Sequence, residues 1–161
     1  MDEGVNERYA YIKVGSSKEN PARISAHDML TGNLGNAWHQ YGAVYGTKAA
    51  GRWKIEFVEG GQYVISLRRF PRESNLAINQ SFPALKSERR LARAMPASIK
   101  SDFKEAFLYV GGVRKLESIK DGDEEINFTI KMPPGKFDFE AQLIDVNNVV
   151  HPAYYVYIEK L

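Results

Sequence analysis

The sequence predicts an all-β fold: an antiparallel β-sandwich of jelly-roll type with one short helix in a long insertion. Short runs of alternating apolar and polar residues recur along the chain, and glycine, proline and asparagine pairs separate them. The alternation of strands with helices that a parallel sheet needs is absent. We therefore expect residues 1–161 to form a single domain of eight or nine strands, with residues 1–8 disordered or artificially added.

Eight runs have the composition of strands, in the order 9–14, 52–58, 62–70, 106–110, 113–119, 125–132, 136–144 and 153–159. Turn signals lie between them, among them Gly60-Gly61, Gly111-Gly112, Asp121-Gly122 and Asn147-Asn148. Two regions lack strand character. Residues 26–51 are rich in Gly, Asn and His and are expected to be a surface excursion. Residues 71–104 contain a candidate short helix, Leu85–Met95, that ends at Pro96.

The first two long runs predict a hairpin. A three-residue loop, 59–61, would pair Phe57 with Tyr63 and Trp53 with Leu67, and would place the large apolar residues of both runs on one face. A two-residue loop would turn one set to the opposite face, because a slip of one residue reverses every side chain.

Two arginines end the second run. In the predicted register Arg69 lies at the rim of the apolar face, within stacking distance of the Trp53 indole, and Arg68 points to the other face. One interpretation is that Arg69 covers the edge of the core with its methylene stem. The other is an anion-binding site. Residues 71–104 add seven basic residues against three acidic ones, which fits either a solvated helix face or a sulfated or phosphorylated ligand.

Composition narrows the function classes. The net charge of +2 is too small to indicate a nucleic-acid or membrane partner, and no run approaches the roughly 20 apolar residues of a membrane span, so neither partner is predicted. The chain has no cysteine, so disulfides, thiolate metal sites and cysteine nucleophiles are excluded. His27, Asp28 and His39 match no metal-ligand spacing, and Asp28 is expected to be a turn or cap residue. No catalytic residue, metal site or cofactor is predicted.

The stretch GRWKIEFVEGGQYVISLRRFPRES, residues 51–74, resembles a segment near the C-terminus of bacterial arylsulfatases. Its Leu-Arg-Arg-aromatic-Pro-x-Glu run carries the resemblance, with Phe70 where that family usually has Trp. RISAHDM followed by Trp38 and Gln40, and the later stretches KEAFLYVGG, EINFTIKMPPGKFDFEAQLID and AYYVYIEKL, extend it from about Tyr9 to Leu161. The nucleophile motif Cys/Ser-x-Pro-x-Arg is missing, since Ser81-Phe82-Pro83 lacks the arginine. The metal-binding catalytic domain is missing too.

The resemblance therefore implies a non-catalytic accessory domain that packs on a sulfatase catalytic domain, binds a sulfated glycan, or does both. It also implies a periplasmic or secreted location, and a parent protein that is a sulfuric ester hydrolase. The alternative is a free-standing carbohydrate-binding module. The ligand-binding residues expected are Arg68, Arg69, Arg72, Trp53, Trp38 and His39. Tyr154, Tyr155 and Tyr157 are candidates for stacking on sugar rings, although most aromatic residues of a sandwich lie in its core.

Overall fold

The computed structural model describes residues 10–30, 51–81 and 101–161. These residues form two sheets packed face to face, which confirms the all-β sandwich. Their strands are β1 (Ile12–Val14), β2 (Ala22–Ser25), β3 (Trp53–Phe57), β4 (Gly61–Arg68), β5 (Phe103–Val110), β6 (Val113–Ser118), β7 (Ile126–Met132), β8 (Gly135–Asp145), β9 (Val150–Pro152) and β10 (Tyr155–Lys160). The sequence pattern did not predict β2 or β9, which have only four and three residues. Residues 1–8, the candidate helix Leu85–Met95 and most of the expected excursion lie outside the described residues.

One sheet has six strands in the order β1-β3-β8-β5-β6, with β9 also paired to β8. The other has four in the order β2-β10-β4-β7. Of the pairs in the described part of the chain, β1 with β3 is parallel and the rest are antiparallel. Most connections carry the chain from one sheet to the other, as in jelly-roll sandwiches.

The predicted hairpin of β3 with β4 is wrong. Trp53 pairs with Phe139 of β8, whereas Leu67 pairs with Val156 of β10 and Ile126 of β7. Residues 58–60 lead from one sheet to the other. The apolar side chains of both strands still meet in one core, because they project toward each other from facing sheets. These fully buried residues are Trp53, Ile55, Phe57, Tyr63, Ile65 and Leu67.

A tight turn sets the register of β5 against β6. Gly111 and Gly112 have φ values of +55° and +79°, a left-handed pair that glycine adopts without steric cost. Val110 therefore lies opposite Val113, and Phe107 lies opposite Leu116. The predicted Gly111-Gly112 turn is confirmed, and it decides which side chains become neighbours on the outer face of this sheet.

The last strand in chain order is central in its sheet. β10 lies between β2 and β4, and its inward residues Val156 and Ile158 are fully buried. The Asn20 side chain fixes the end of β10. Its amide donates to the Lys160 carbonyl at 2.9 Å and its oxygen accepts from the Lys160 N–H at 2.8 Å. Among the described residues, no helix is long and apolar enough to cross a membrane.

Candidate functional site

Arg69 lies inside the sandwich and not at its rim. Its side chain is fully buried, with the guanidinium carbon 4.7 Å from the ring centroid of Phe70 and 6.0 Å from that of Phe103. Its Nη1 donates to the carbonyl oxygens of Ile78 at 3.4 Å and Gln80 at 3.5 Å. The predicted stacking on an indole depended on the β3–β4 hairpin. Burial lowers the pKa of Arg69 to about 10, so the group keeps its charge at neutral pH.

These bonds tie down the segment of residues 69–80, which we call the strap. Beyond Arg69, the strap is held at Asn79, whose amide donates to the Phe103 carbonyl at 2.9 Å and accepts from the Phe103 N–H at 2.8 Å. The Ile78 N–H donates to the Asp123 carbonyl at 2.8 Å. The C-terminal end of the strap is therefore bonded to β5 and to the connection between β6 and β7, and Arg69 joins the two ends of the strap to each other.

Arg68 projects to the face opposite Leu67, as predicted, and is also buried. Its Nε donates to the Phe70 carbonyl at 2.9 Å, and its Nη1 donates to Glu125 Oε2 at 3.0 Å. Its Nη2 is buried and has no hydrogen-bond partner in the part of the chain that the structure describes. The guanidinium thus joins the beginning of the strap to the connection that precedes β7.

Arg72, on the strap, completes an arginine cluster with Arg68 and Glu125. Its Nε donates to Glu125 Oε2 at 3.2 Å and its Nη2 to Ser66 Oγ at 3.2 Å. Its guanidinium carbon lies 4.2 Å from the ring centroid of Tyr157, and its backbone N–H donates to the hydroxyl of that tyrosine at 3.0 Å. The arginine cluster covers part of the outer face of the four-stranded sheet.

The carboxylate of Glu125 balances this cluster. Burial alone would raise the pKa of Glu125, but the hydrogen bonds and positive charges of Arg72 and Arg68 outweigh burial and hold the pKa below its ordinary value. The two guanidiniums therefore already bind an internal anion. An external sulfate or phosphate would have to displace that carboxylate to reach them.

None of the other residues predicted to bind a ligand is placed at a surface by the described part of the structure. Trp53 is fully buried, donates its indole N–H to the Ser25 carbonyl at 2.8 Å and packs edge-on against Phe139, so it belongs to the core. Trp38 and His39 lie outside the described residues. The structure thus brings Arg68 and Arg72 together and places Arg69 and Trp53 inside the protein.

The tyrosines in β10 and immediately before it offer little open surface. Tyr154 and Tyr157 are buried, and Tyr157 is covered by Arg72. Tyr155 shares the outer face with Tyr157, as predicted, and remains half-buried. Burial raises the pKa of the Tyr155 hydroxyl, although the positive charge of Arg23 opposes this.

A second surface lies on the outer face of the six-stranded sheet. In β5 the side chains of Ala106, Leu108 and Val110 enter the core, so Phe107 and Tyr109 project outward, about 7 Å apart along the strand. Both rings are half-buried. The Tyr109 hydroxyl has no hydrogen-bond partner in the described part of the chain. We call this surface, formed by two cross-strand rows, the aromatic platform. Its residues are Gln142, Phe107 and Leu116 in one row and Glu140, Tyr109 and Arg114 in the other.

The border of the platform is polar. Gln142 and Glu140 on β8 flank the two rings on one side. Glu140 has no ion-pair partner among the residues that the structure describes. On the other side the Arg114 guanidinium lies 5.3 Å from the Tyr109 ring centroid, an exposed contact of about 0.5–1 kcal/mol that a ligand can replace. The platform therefore offers two aromatic surfaces beside groups that donate and accept hydrogen bonds.

Sequence reasoning missed the platform because it assigned most aromatic residues to the core. A signal was available in the run Ala106–Val110, which is apolar on both faces. A strand that is apolar on both faces either lies between two covered faces or exposes one of them, and periodicity alone does not separate these cases.

Three further titratable residues, Asp28, His151 and Asp145, form hydrogen bonds within turns and between neighbouring segments of the chain. Asp28 accepts from the Ser25 N–H at 2.9 Å, which confirms its predicted role in a turn. His151 lies in β9, where its Nε2 is 3.0 Å from Asp145 Oδ2. Burial alone would raise the pKa of Asp145, but hydrogen bonds from His151, Val149 and Asn147 lower it. Within the described residues, no group of three or more His, Asp or Glu side chains could hold a metal ion.

No protein-family profile and no curated protein matches the sequence. Three solved structures are similar to it at low identity. A ruminal GH26 endo-β-1,4-mannanase aligns over 95% of the chain, with 12% identity and a TM-score of 0.46, and the chain spans 27% of that protein. The CBM35 of a Cellvibrio japonicus protein aligns over 69% of the chain, with 9% identity and a TM-score of 0.38, and the chain spans 64% of it.

An exo-β-1,3-galactanase from Phanerochaete chrysosporium aligns over 87% of the chain, with 10% identity and a TM-score of 0.39, and the chain spans 29% of it. At these TM-scores the likeness carries no argument about function, which has to come from the two surfaces described above.

Proposed function

We propose that the chain is a non-catalytic carbohydrate-binding module and that the aromatic platform is its binding surface. The observation that carries the proposal is the pair Phe107 and Tyr109, adjacent on the outer face of an inner strand. Pyranose rings present an apolar C–H face that stacks on aromatic rings, and their hydroxyl groups project outward from the ring edge. Gln142 and Glu140 lie where they could bond such hydroxyls.

The distribution of exposed apolar residues supports a glycan over a protein partner. A domain that docks on another protein is expected to expose a continuous apolar patch of several hundred Å². Among the described residues, the large apolar side chains that are more than half exposed are Leu116 at 53%, Val146 at 55% and Leu161 at 65%. They lie on β6, in the turn between β8 and β9, and after β10. Of these three residues, only Leu116 belongs to the platform.

Binding measurements on platform variants test the proposal. The full chain is screened against a glycan array and titrated calorimetrically with the oligosaccharides that bind. Phe107→Ala and Tyr109→Ala are each expected to weaken binding at least about tenfold, the loss typical of a central contact. Tyr155→Ala, a half-buried aromatic on the opposite sheet, is the matched control and should bind as the wild type does. Absence of binding to every glycan, or equal losses in all three variants, would overturn the proposal.

The Leu67–Glu73 run favours a second candidate, an accessory domain that packs on a sulfatase catalytic domain. In the structure this run has structural contacts: Arg68 and Arg69 hold the strap, and Glu73 pairs with Arg23 at 3.5 Å. Under this candidate the platform would be the docking surface. Sedimentation of the chain mixed with an arylsulfatase catalytic domain tests it: a complex abolished by Tyr109→Ala supports docking, and two separate boundaries count against it.

A further inference from the structure

The charges around the platform indicate which class of glycan it binds. We infer that the platform selects neutral glycans, free of sulfate, phosphate and carboxylate groups, and that Glu140 is the residue that determines this specificity. The inference rests on the proposed carbohydrate-binding function and adds the substrate class to it.

The first argument concerns the basic residues. An anionic glycan needs guanidinium or ammonium groups that are free to bind it. In the described residues the strongest candidates are already engaged. Arg68 and Arg72 bind Glu125, Arg69 is buried with carbonyl partners, and Arg23 pairs with Glu73. All four lie away from the platform, on the four-stranded sheet or the strap.

Two basic residues of the platform's own sheet are also paired with a carboxylate. Lys54 is bound to Asp138 at 2.5 Å, and Arg52 contacts the same carboxylate at 3.4 Å. Arg114 is the basic residue of the platform itself, and its guanidinium lies over the Tyr109 ring. One exposed guanidinium beside an unpaired carboxylate gives the platform no net positive charge.

The second argument concerns Glu140. It lies opposite Tyr109 on β8, is half-buried, and has no ion pair in the part of the chain that the structure describes. An ionised carboxylate only accepts hydrogen bonds, and two adjacent sugar hydroxyls can donate to its two oxygens. The same carboxylate repels a sulfate or uronate at a distance where partial burial weakens the screening by salt. Neutral sugars therefore gain hydrogen bonds to Glu140, whereas the negative charge of Glu140 repels anionic sugars and weakens their binding.

Glu140→Gln tests this inference. The full chain and the variant are titrated with cellohexaose, mannohexaose and xylohexaose as neutral probes, and with chondroitin sulfate hexasaccharide as the anionic probe. Glu117→Gln on β6 is the control. Glu117 pairs with Ala106, which faces the core, so its side chain lies off the platform, and this variant loses the same charge. The wild type is expected to bind at least one neutral probe, and the anionic probe at least about tenfold more weakly.

In Glu140→Gln the affinity for the neutral probe should fall about tenfold. The ratio of the affinity for the neutral probe to that for the sulfated probe should become smaller. Glu117→Gln should change neither quantity. Affinity for the neutral probe should also stay constant when the salt concentration rises about tenfold, because no charge pair forms.

The outcomes separate the two proposals. Binding of the sulfated probe as tight as that of the neutral ones would overturn the neutral-glycan inference and leave the carbohydrate-binding function in place. An equal loss in Glu140→Gln and Glu117→Gln would overturn the role of Glu140. Failure of all probes, together with a blank glycan array, would overturn both proposals.

Discussion

The outer faces of the two sheets differ in how their polar and aromatic groups are used. On the four-stranded sheet the strap covers Tyr157, and Glu125 neutralises Arg68 and Arg72, so the groups bond one another. On the six-stranded sheet Phe107 and Glu140 have no such partners in the described residues, and the Tyr109 ring is contacted by the exposed Arg114 guanidinium. A cluster rich in arginine and tyrosine thus forms most of its bonds internally, with Arg68 Nη2 as the exception, while a row of ordinary strand residues stays open to solvent. Charged and aromatic side chains therefore indicate a binding site only when other groups of the protein do not already occupy them.

The contrast predicts that substitutions on the covered face reduce stability and that substitutions on the platform reduce binding. The largest effect is expected from Arg69→Ala. It leaves a cavity against Phe70 and Phe103 and removes the donors to Ile78 and Gln80, which should lower the free energy of unfolding by about 3–5 kcal/mol. Urea unfolding measures it. Arg114→Ala, on the platform, is the control and should change stability by less than about 0.5 kcal/mol. Similar losses in both would erase the distinction between the two faces.

Glu125→Gln should have the next largest effect, about 2 kcal/mol, because it removes the nearer of the two carboxylates beside the buried Arg68 and leaves only Glu124, at 3.9 Å. The effect should depend on pH. The pKa of Glu125 is lower in the folded protein than in the unfolded chain, so its ionisation stabilises the fold fully above the unfolded value. That contribution disappears as pH falls through the folded value.

The wild type should therefore lose stability on acidification more steeply than Glu125→Gln, with Asp145 accounting for part of the slope that remains. Unfolding curves recorded from neutral to acidic pH measure this. Parallel curves for the two proteins would show that Glu125 makes no ionic contribution to the cluster.

The smallest effect is expected from Leu116→Ala at the edge of the platform. Leu116 is 53% exposed, so truncation should change stability by less than about 0.5 kcal/mol. Glycan affinity should fall only a few-fold, since rim contacts contribute less than central ones. Calorimetric titration of Leu116→Ala and Tyr109→Ala with the same glycan compares the loss of affinity at the edge of the platform with the loss at its centre. A loss at Leu116 larger than the loss at Tyr109 would move the centre of the binding surface onto β6.

Periodicity predicted the strands and their inward faces, but not their partners. Trp53, Ile55 and Phe57 alternate in the same way whether β4 lies beside β3 or opposite it, and a connection of three residues serves either arrangement. The choice is made by β8 and β10, whose pairing residues lie far along the chain. The strands β2 and β9 are too short to show a period.

The site was harder to predict for a related reason. The roles of Arg68 and Arg69 depend on partners such as Glu125 and Ile78, which no local pattern connects to them. Phe107 and Tyr109 resemble core residues until the neighbouring strands are in place. Residue type and spacing suggested where charge accumulates, whereas burial and pairing decide which side chains remain available to a ligand.

The position of β10 has a consequence for biosynthesis. β2 and β4 touch the two sides of this strand, and the Asn20–Lys160 bonds join residues 140 positions apart. A nascent polypeptide emerging from the ribosome cannot complete the four-stranded sheet before β10 has been translated. Such distant contacts slow folding and leave hydrophobic strands exposed in the meantime. Until residues 155–160 have been synthesised, β2 and β4 lack the strand that joins them into one sheet.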